Sequence, residues 1–193
     1  DMSNVKRVEI LNGAALLWVL YSNRQIGIME VNRMIREAKR EDIPICVDLI
    51  KKSFMTVANE LGFTEENAPG LTAFAATSDR LYWQMEHENR RMYVFEENGT
   101  LCGYYSLLMQ NNEACELSNL AVLPAYRHNG IGKKLLNHAF DMARNAGCKT
   151  VHISIVEENI VLRKWYEDNG AIHVGIKKYD FFPFTCGYMK KIL

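Results

Sequence analysis

The organisation of this chain of 193 residues follows from one short stretch, Arg127-His128-Asn129-Gly130-Ile131-Gly132. An apolar run, residues 117–123, leads into it through Pro124, and a helical pattern leaves it over residues 131–146. A strand followed by a glycine-rich turn and a helix is an arrangement that binds phosphate. The N–H groups of the first helical turn have no partner within the helix, and the helix dipole adds partial positive charge at the same place. Gly130 and Gly132 permit positive φ angles and close approach of a ligand. The sequence therefore predicts a site for a phosphorylated ligand.

The flanking patterns predict one continuous α/β unit over residues 34–193. Asp42 is the expected N-cap of a helix that has Pro44 in its first turn. Asn98-Gly99 is the expected turn of a β-hairpin, since both residues tolerate positive φ. Residues 62–78 are expected to form a loop or a mobile helix turn. The remaining expected strands are 35–38, 92–95, 101–109, 114–123, 150–156, 171–177 and 186–191, and the remaining helices are 79–89, 131–146 and 159–169.

Residues 1–33 stand outside this unit, and Met34 would be a natural start for it. Their apolar part, residues 10–21, follows Lys6 and Arg7 as in a signal peptide, but no convincing cleavage site comes after it. It is also shorter than the roughly 20 residues that span a bilayer. The segment could be an extra strand or helix, an element that pairs with a second copy to form a homodimer, or an upstream extension of the reading frame. No membrane association is expected.

The composition indicates which classes of binding partner can be set aside and which cellular compartment suits the protein. The 23 basic residues balance the 23 acidic ones, so nothing indicates a nucleic acid as partner. The cysteine count is odd and no C-x-x-C pair occurs, which disfavours a disulfide framework or a zinc site and favours a reducing cytoplasm. The histidines have no metal-ligand spacing, so no metal is expected. The five cysteines are Cys46, Cys102, Cys115, Cys148 and Cys186.

The turn does not fit the two commonest phosphate-binding motifs. Leu135 occupies the place of the third glycine in G-x-G-x-x-G, and the P-loop spacing is missing. With its flanks, residues 120–132, the turn instead resembles the acetyl-CoA signature of the GNAT superfamily of acyl-CoA-dependent N-acyltransferases. Asn159, Tyr166 and Gly170-Ala171 resemble a second block of that family, although the family more often has Phe at the last position. The resemblance covers residues 34–193 and is strongest over 113–170.

The resemblance implies a mixed α/β fold with a largely antiparallel, splayed sheet flanked by helices. It also implies acetyl-CoA as cosubstrate and an amine as acceptor. Backbone groups of Leu120, Ala121 and Val122 would pair with the pantetheine arm, amides from Arg127 to Lys133 would hold the pyrophosphate, and Asn159 would fix the cofactor arm. The residues implied to bind acetyl-CoA are Leu120, Ala121, Val122, Arg127, His128, Asn129, Gly130, Ile131, Gly132, Lys133, Asn159 and Tyr166.

Transfer of an acetyl group to an amine requires a base, an acid and a polarised carbonyl. Glu116 is the candidate base, because it lies eleven residues before Arg127, as in the histone-acetylating branch of the family. The alternative is that Glu116 only orders water or pairs with a cation. Tyr166 is the candidate acid, since a phenol stays protonated at neutral pH, and its alternative is a packed core aromatic. The family implies that the N–H of Val122 is an oxyanion donor.

Neighbouring residues complete these expectations. Because side chains alternate along a strand, Glu116 and Ser118 should share a face and Asn119 should point away. Asn159 could also serve as a helix N-cap. Residues 62–78 should shape the acceptor pocket, whereas Tyr82, Trp83 and Met85 fit the core better than the pocket.

The predicted function is acetyl transfer to a primary amine in a ternary complex, and a non-catalytic acyl-CoA sensor is the alternative.

Overall fold

A computed structural model describes residues 32–110 and 113–193 of the chain. Within these two ranges, seven strands form one sheet, and five α-helices accompany it. The strands are β1 (Arg33–Glu37), β2 (Arg90–Glu97), β3 (Thr100–Met109), β4 (Ala114–Val122), β5 (Thr150–Val156), β6 (Ile172–Lys178) and β7 (Thr185–Ile192). The helices are α1 (Ile43–Leu61), α2 (Thr72–Ala75), α3 (Ser78–His87), α4 (Ile131–Asn145) and α5 (Ile160–Asp168).

The sheet has the order β1-β2-β3-β4-β5-β7-β6, and among these described strands only the β4–β5 pair is parallel. That pair extends only from Ala114–Thr150 to Leu117–Ile153, whereas β4 remains paired with β3 as far as Val122. Beyond Leu117, the two central strands therefore diverge and leave one edge of β4 open. The expected mixed, largely antiparallel and splayed sheet is confirmed.

Helices cover both faces of the sheet, because each carries apolar residues at helical spacing. On one face, α4 buries Leu135, Leu136 and Ala139 in a core that also contains Tyr166 of α5. On the other face, α1 buries Ile43 and its neighbours in a second core with strand residues of β2 and β3. The first turn of α4 and the last residues of β4 thus lie at the same end of the open edge.

A β-bulge in β4 overturns one expectation about this edge. Ser106 of β3 pairs with Ser118, whereas Tyr104 pairs with Ala121, so two residues of β4 oppose the single residue between them. Asn119 is the additional residue and adopts a left-handed conformation with φ of 54°. The prediction that Asn119 points away from Glu116 was therefore wrong, because the bulge interrupts the alternation on which it relied. All three polar residues, Glu116, Ser118 and Asn119, line one cavity.

Most local predictions agree with the structure. The β2–β3 hairpin turns at Asn98 and Gly99, with φ of 51° and 80°. Asp42 is the N-cap of α1, but its carboxylate accepts from Arg36 and from the N–H of Lys39 instead of capping the helix. Residues 62–78, expected to be a loop or a helix turn, contain the short helix α2 between irregular segments.

The expectations for residues 1–33 lie outside the described residues, apart from Asn32 and Arg33. Arg33 is the first residue of β1, one position before the expected start of the α/β unit. Within residues 32–110 and 113–193, no helix has the length and apolar character that crossing a membrane requires. In the same ranges, no group of three or more His, Cys, Asp or Glu side chains is placed to hold a metal ion.

Candidate active site

Backbone hydrogen bonds divide the turn between β4 and α4 into an occupied part and an open part. The N–H of Arg127 donates to the carbonyl of Pro124 at 3.2 Å, so this amide is used within the turn. The first bond of α4 joins the N–H of Lys134 to the carbonyl of Gly130 at 3.1 Å. Between them, the N–H groups of residues 128–133 have no acceptor in the described part of the chain. Free donors at a helix N-terminus form a cradle for an anion.

The two glycines of the turn have different roles. Gly130 has φ of 78° and empty space around the position of a Cβ atom, so its conformation is what requires glycine. Gly132 has no positive φ, and a Cβ atom there would lie 3.6 Å from the ring of Trp165 and 3.9 Å from Val122. A methyl group would fit beside those neighbours but would reduce the space above the first turn of α4. His128 is also left-handed, with φ of 63°, which the sequence did not indicate.

The guanidinium group of Arg127 is directed into the protein. Its Nε donates to the carbonyl of Val122 at 3.1 Å, and Nη1 donates to Oγ1 of Thr56 at 3.1 Å. Nη2 donates to the carbonyl of Ser53 at 2.8 Å. Burial lowers the pKa of this side chain, since the partial loss of water disfavours its charge. Both the amide and the guanidinium of Arg127 therefore have protein partners, and the side chain connects α1 to the end of β4.

The open edge of β4 presents a backbone donor next to the cradle. The N–H of Leu123 donates to the carbonyl of Cys102 on the β3 side. Because the hydrogen-bonding groups of a strand alternate in direction, the N–H of Val122 points to the side that β5 has left. Its carbonyl is already bound by Arg127. Leu120 packs toward the α4 core, and Ala121 is buried in the α1 core.

Glu116 lies on β4 opposite Leu108 and beside His152, at the wall of a cavity of about 200 Å³. Its Oε1 accepts from the hydroxyl of Ser118 at 2.8 Å, and Oε2 accepts from the amide of Gln110 at 3.4 Å. Neither partner carries a charge, and no described residue forms an ion pair with this carboxylate. The side chain is thus a carboxylate held by neutral donors at the edge of a cavity.

The loop expected to shape a pocket does line this cavity, together with α3 and β2. Tyr82 and Met85 pack against the α1 core and Trp83 is exposed, so these three residues do not form the cavity wall. The sequence reasoning missed the polar side chains of α3, although Arg80 and Gln84 are four residues apart and therefore share a helix face. The lining residues are Gly70, Thr72, Ala75, Ala76, Arg80, Leu81, Gln84, Arg90, Glu116, Ser118 and Asn119.

Asn159 and Tyr166 are brought to the other face of the sheet by α5. Asn159 is the N-cap of this helix, and its Oδ1 accepts from the N–H of Leu162 at 3.0 Å. Tyr166 is 5% exposed, packs edge-on against Trp165, and has no hydrogen-bond partner among the described residues. Burial raises the pKa of its phenol, so the group stays protonated.

The gap between β4 and β5 joins the two halves of this arrangement. Glu116 faces the cavity on the α1 and α3 side, whereas Tyr166 belongs to the core on the α4 side. A reactant held along the open edge of β4 can therefore be reached from both faces of the sheet. The anion cradle and the free N–H of Val122 lie at the open end of β4, with the carboxylate of Glu116 on one face of the sheet and the phenol of Tyr166 in the core on the other.

Comparison with known proteins indicates the family of the chain. A model of the acetyltransferase (GNAT) family matches residues 58–171. The uncharacterized N-acetyltransferase YjgM of Escherichia coli K12 is 28% identical over 147 residues, which are 73% of this chain and 83% of that protein. The [ribosomal protein bS18]-alanine N-acetyltransferase of the same strain is 26% identical over 110 residues, which are 57% of this chain and 73% of that protein.

A solved structure has the same fold. The PaiA N-acetyltransferase of Thermoplasma acidophilum, crystallised in complex with coenzyme A, superposes with a TM-score of 0.68 at 21% identity. The match covers 84% of this chain and 99% of that one. Since the family model spans more than half of the sequence and the folds agree, the chain belongs to the acetyltransferase (GNAT) family.

Proposed function

We propose that the protein transfers an acetyl group from acetyl-CoA to a primary amine of a small molecule or peptide, by direct attack in a ternary complex. One observation carries this proposal. The unoccupied N–H groups of residues 128–133 follow the open end of β4, and Glu116 of the same strand lines a cavity on one face of the sheet. An anionic donor and an amine acceptor could therefore meet at the edge of one strand.

The cradle fits the pyrophosphate of coenzyme A in charge and in donor type. N–H groups at a helix start carry partial positive charge, which favours phosphate oxygens. The exposed side chain of Lys133 adds a full charge at the same turn. Asn159 uses its oxygen to cap α5, and its amide nitrogen is left to donate to the cosubstrate arm. The guanidinium of Arg127 holds the end of β4 in place through its bonds to Val122 and Ser53, and we expect it to support the cradle from there.

Glu116, Val122 and Tyr166 each have a separate role in the proposed acetyl transfer. Glu116 accepts a proton from the amine as the nitrogen–carbon bond forms, directly or through a water molecule. The N–H of Val122 donates to the carbonyl oxygen while negative charge develops there. Tyr166 donates a hydrogen bond to the sulfur as the carbon–sulfur bond breaks. The proton that the neutral amine loses balances the one that the departing thiol gains.

The protein is also proposed to work in a reducing cytoplasm. All five cysteines are free thiols, and four of them are buried in the cores. Burial raises the pKa of Cys46 to about 12, so this thiol stays protonated and unreactive.

The proposal is tested by thiol release from acetyl-CoA in the presence of a panel of amines, with the products identified by mass. We expect release only when an amine is present, with one acetylated amine formed for each thiol. Tight binding of acetyl-CoA without thiol release for any amine would favour a sensor instead. Tyr166→Phe serves as a control that should bind acetyl-CoA normally and turn over slowly.

A further inference from the structure

Resting on the proposed function, we infer that the acceptor is an amine that also carries a carboxylate, which Arg80 and Gln84 bind opposite Glu116. The inference depends on two unpaired, opposite charges that line the same small cavity. Glu116 supplies the negative charge and Arg80 the positive one. A molecule with both an ammonium and a carboxylate group would pair with Glu116 and with Arg80 at the same time.

Arg80 lies near the start of α3, is exposed, and lines the cavity. Its backbone N–H is held by the hydroxyl of Thr77, the N-cap of the helix, at 3.2 Å. In residues 32–110 and 113–193, no carboxylate and no hydrogen-bond acceptor engages its guanidinium. The group therefore offers its donors to a ligand, in the planar geometry that suits a carboxylate.

Gln84 follows one helical turn later and lines the same cavity. The residue is only 7% exposed, yet its side-chain amide has no hydrogen-bond partner among the described residues. Among the described side chains, the fully buried polar atoms that lack a partner belong to Ser53 and Tyr104, so the amide atoms of Gln84 keep access to solvent. Its donor and acceptor face a space that a polar ligand would fill.

Arg90 also lines the cavity, but its charge is already balanced. Its Nε pairs with the carboxylate of Glu88 at 2.6 Å, and Nη1 donates to the hydroxyl of Ser106 at 3.1 Å. This arginine fixes the wall of the cavity, whereas Arg80 supplies its unbalanced positive charge. On the opposite side, Glu116 accepts only from the neutral groups of Ser118 and Gln110.

These charges and the volume define the class of acceptor. An ammonium group would bind beside Glu116, where it must lose its proton, and a carboxylate a few bonds away would reach Arg80 and Gln84. A diamine would bring a second cation against Arg80, so polyamines fit poorly. A cavity of about 200 Å³ is smaller than the roughly 300–1,000 Å³ of pockets that hold drug-sized ligands. It suits a free amino acid or the acidic first residue of a peptide.

The experiment compares matched acceptors at saturating acetyl-CoA. Free L-amino acids are paired with the corresponding L-amino acid amides, which keep the amine and lose the carboxylate, and putrescine represents the diamines. We expect kcat/KM to fall at least about tenfold from acid to amide, since a charge-assisted hydrogen bond is lost. A short peptide with an N-terminal aspartate distinguishes a peptide end from a free amino acid as the source of this chemistry.

Substitutions test whether Arg80 binds the carboxylate of the acceptor. Arg80→Gln should raise KM for the amino acids by about tenfold to a hundredfold, leave KM for the amides and for acetyl-CoA unchanged, and be partly rescued in Arg80→Lys. Arg144→Gln removes an arginine that pairs with Asp141 away from the cavity, so it should change nothing. Equal kcat/KM for acids and amides, or an equal effect of Arg80→Gln on both, would overturn the inference.

Failure of the proposed function gives a different result. In that case the wild-type protein releases no thiol with any amine, and binding alone decides the inference. An amino acid that raises the melting temperature of the wild-type protein in the presence of coenzyme A, but not that of Arg80→Gln, would support the carboxylate site. The absence of any such rise in the wild type would overturn it.

Discussion

Glu116 has only neutral donors on its carboxylate and an open cavity in front of it, which is the setting that a proton acceptor needs. Glu116→Gln keeps the size of the side chain and one of its two acceptor oxygens but removes its basicity. We expect turnover near neutral pH to fall by about two to four orders of magnitude and to recover as the pH approaches the pKa of the amine.

The measurement is a pH–rate profile of kcat/KM for the amine, recorded for both proteins. Glu167→Gln serves as the matched control, because that carboxylate pairs with Arg163 on the exposed side of α5. A profile for Glu116→Gln that coincides with the wild type would assign the base to another group.

Tyr166 is buried and makes no hydrogen bond with any described residue, so removing its hydroxyl should leave the packing intact. Tyr166→Phe is therefore expected to lower kcat by roughly a hundredfold, with little change in the KM for acetyl-CoA. Steady-state kinetics and the melting temperature are measured together. Loss of stability in parallel with activity would mean that the residue has a packing role only.

Arg127 connects two elements that are far apart in sequence, α1 and the end of β4. Arg127→Ala removes donors to Val122, Thr56 and Ser53, and we expect it to lower the free energy of unfolding by about 2–3 kcal/mol. Lys133→Ala, in the cradle, is the contrasting variant, and it should weaken coenzyme A binding without loss of stability.

Urea unfolding and coenzyme A titration distinguish the two variants. An Arg127→Ala protein that keeps its stability but loses affinity would show that the guanidinium contacts phosphate after all. The direct partners of Arg127 in the protein make the opposite result the expected one.

The elements whose signals are local were predictable from the sequence, and those that depend on distant partners were not. Asn98-Gly99 predicts a tight turn, because both residues tolerate left-handed backbone angles. The helical spacing of the apolar residues in α4 predicts which face of that helix is buried. The inward direction of Arg127 depends on Ser53, which is 74 positions away. The polar face of α3 was missed because nothing within the helix indicates which strand it will pack against.

At the scale of the whole molecule, one ion pair joins the edge of the sheet to the helix layer. Arg36 of β1 donates to Asp42 at the start of α1, with 2.6 Å between Nη1 and Oδ2. Hydrogen bonds from Arg36 lower the pKa of this carboxyl below its ordinary value. A lowered folded pKa means that the pair stabilises the protein fully above the unfolded pKa of about 3.9, and that this contribution is lost as the pH falls through the folded pKa.

Asp42→Asn tests this linkage. We expect the variant to be less stable than the wild type at pH 7 and the difference to shrink toward pH 3, when the unfolding free energies are compared in urea. Lys52→Gln, whose partner Asp48 lies on the exposed surface of α1, should change little at either pH. A difference between Asp42→Asn and the wild type that is independent of pH would mean that the charge of Asp42 does not stabilise the fold.

The bulge in β4 has a consequence for how much of that strand folding requires. The ladder with β3 needs one residue opposite Tyr105, and Leu120 already packs on the same side of the sheet as Tyr105. Asn119 is thus surplus to the ladder, and its deletion would restore a straight strand in which every buried neighbour keeps its face. Such a shortened chain should still fold while its cavity loses an amide and its shape. The other residues of β4 are therefore sufficient for folding, and the one inserted residue shapes the cavity that selects the acceptor.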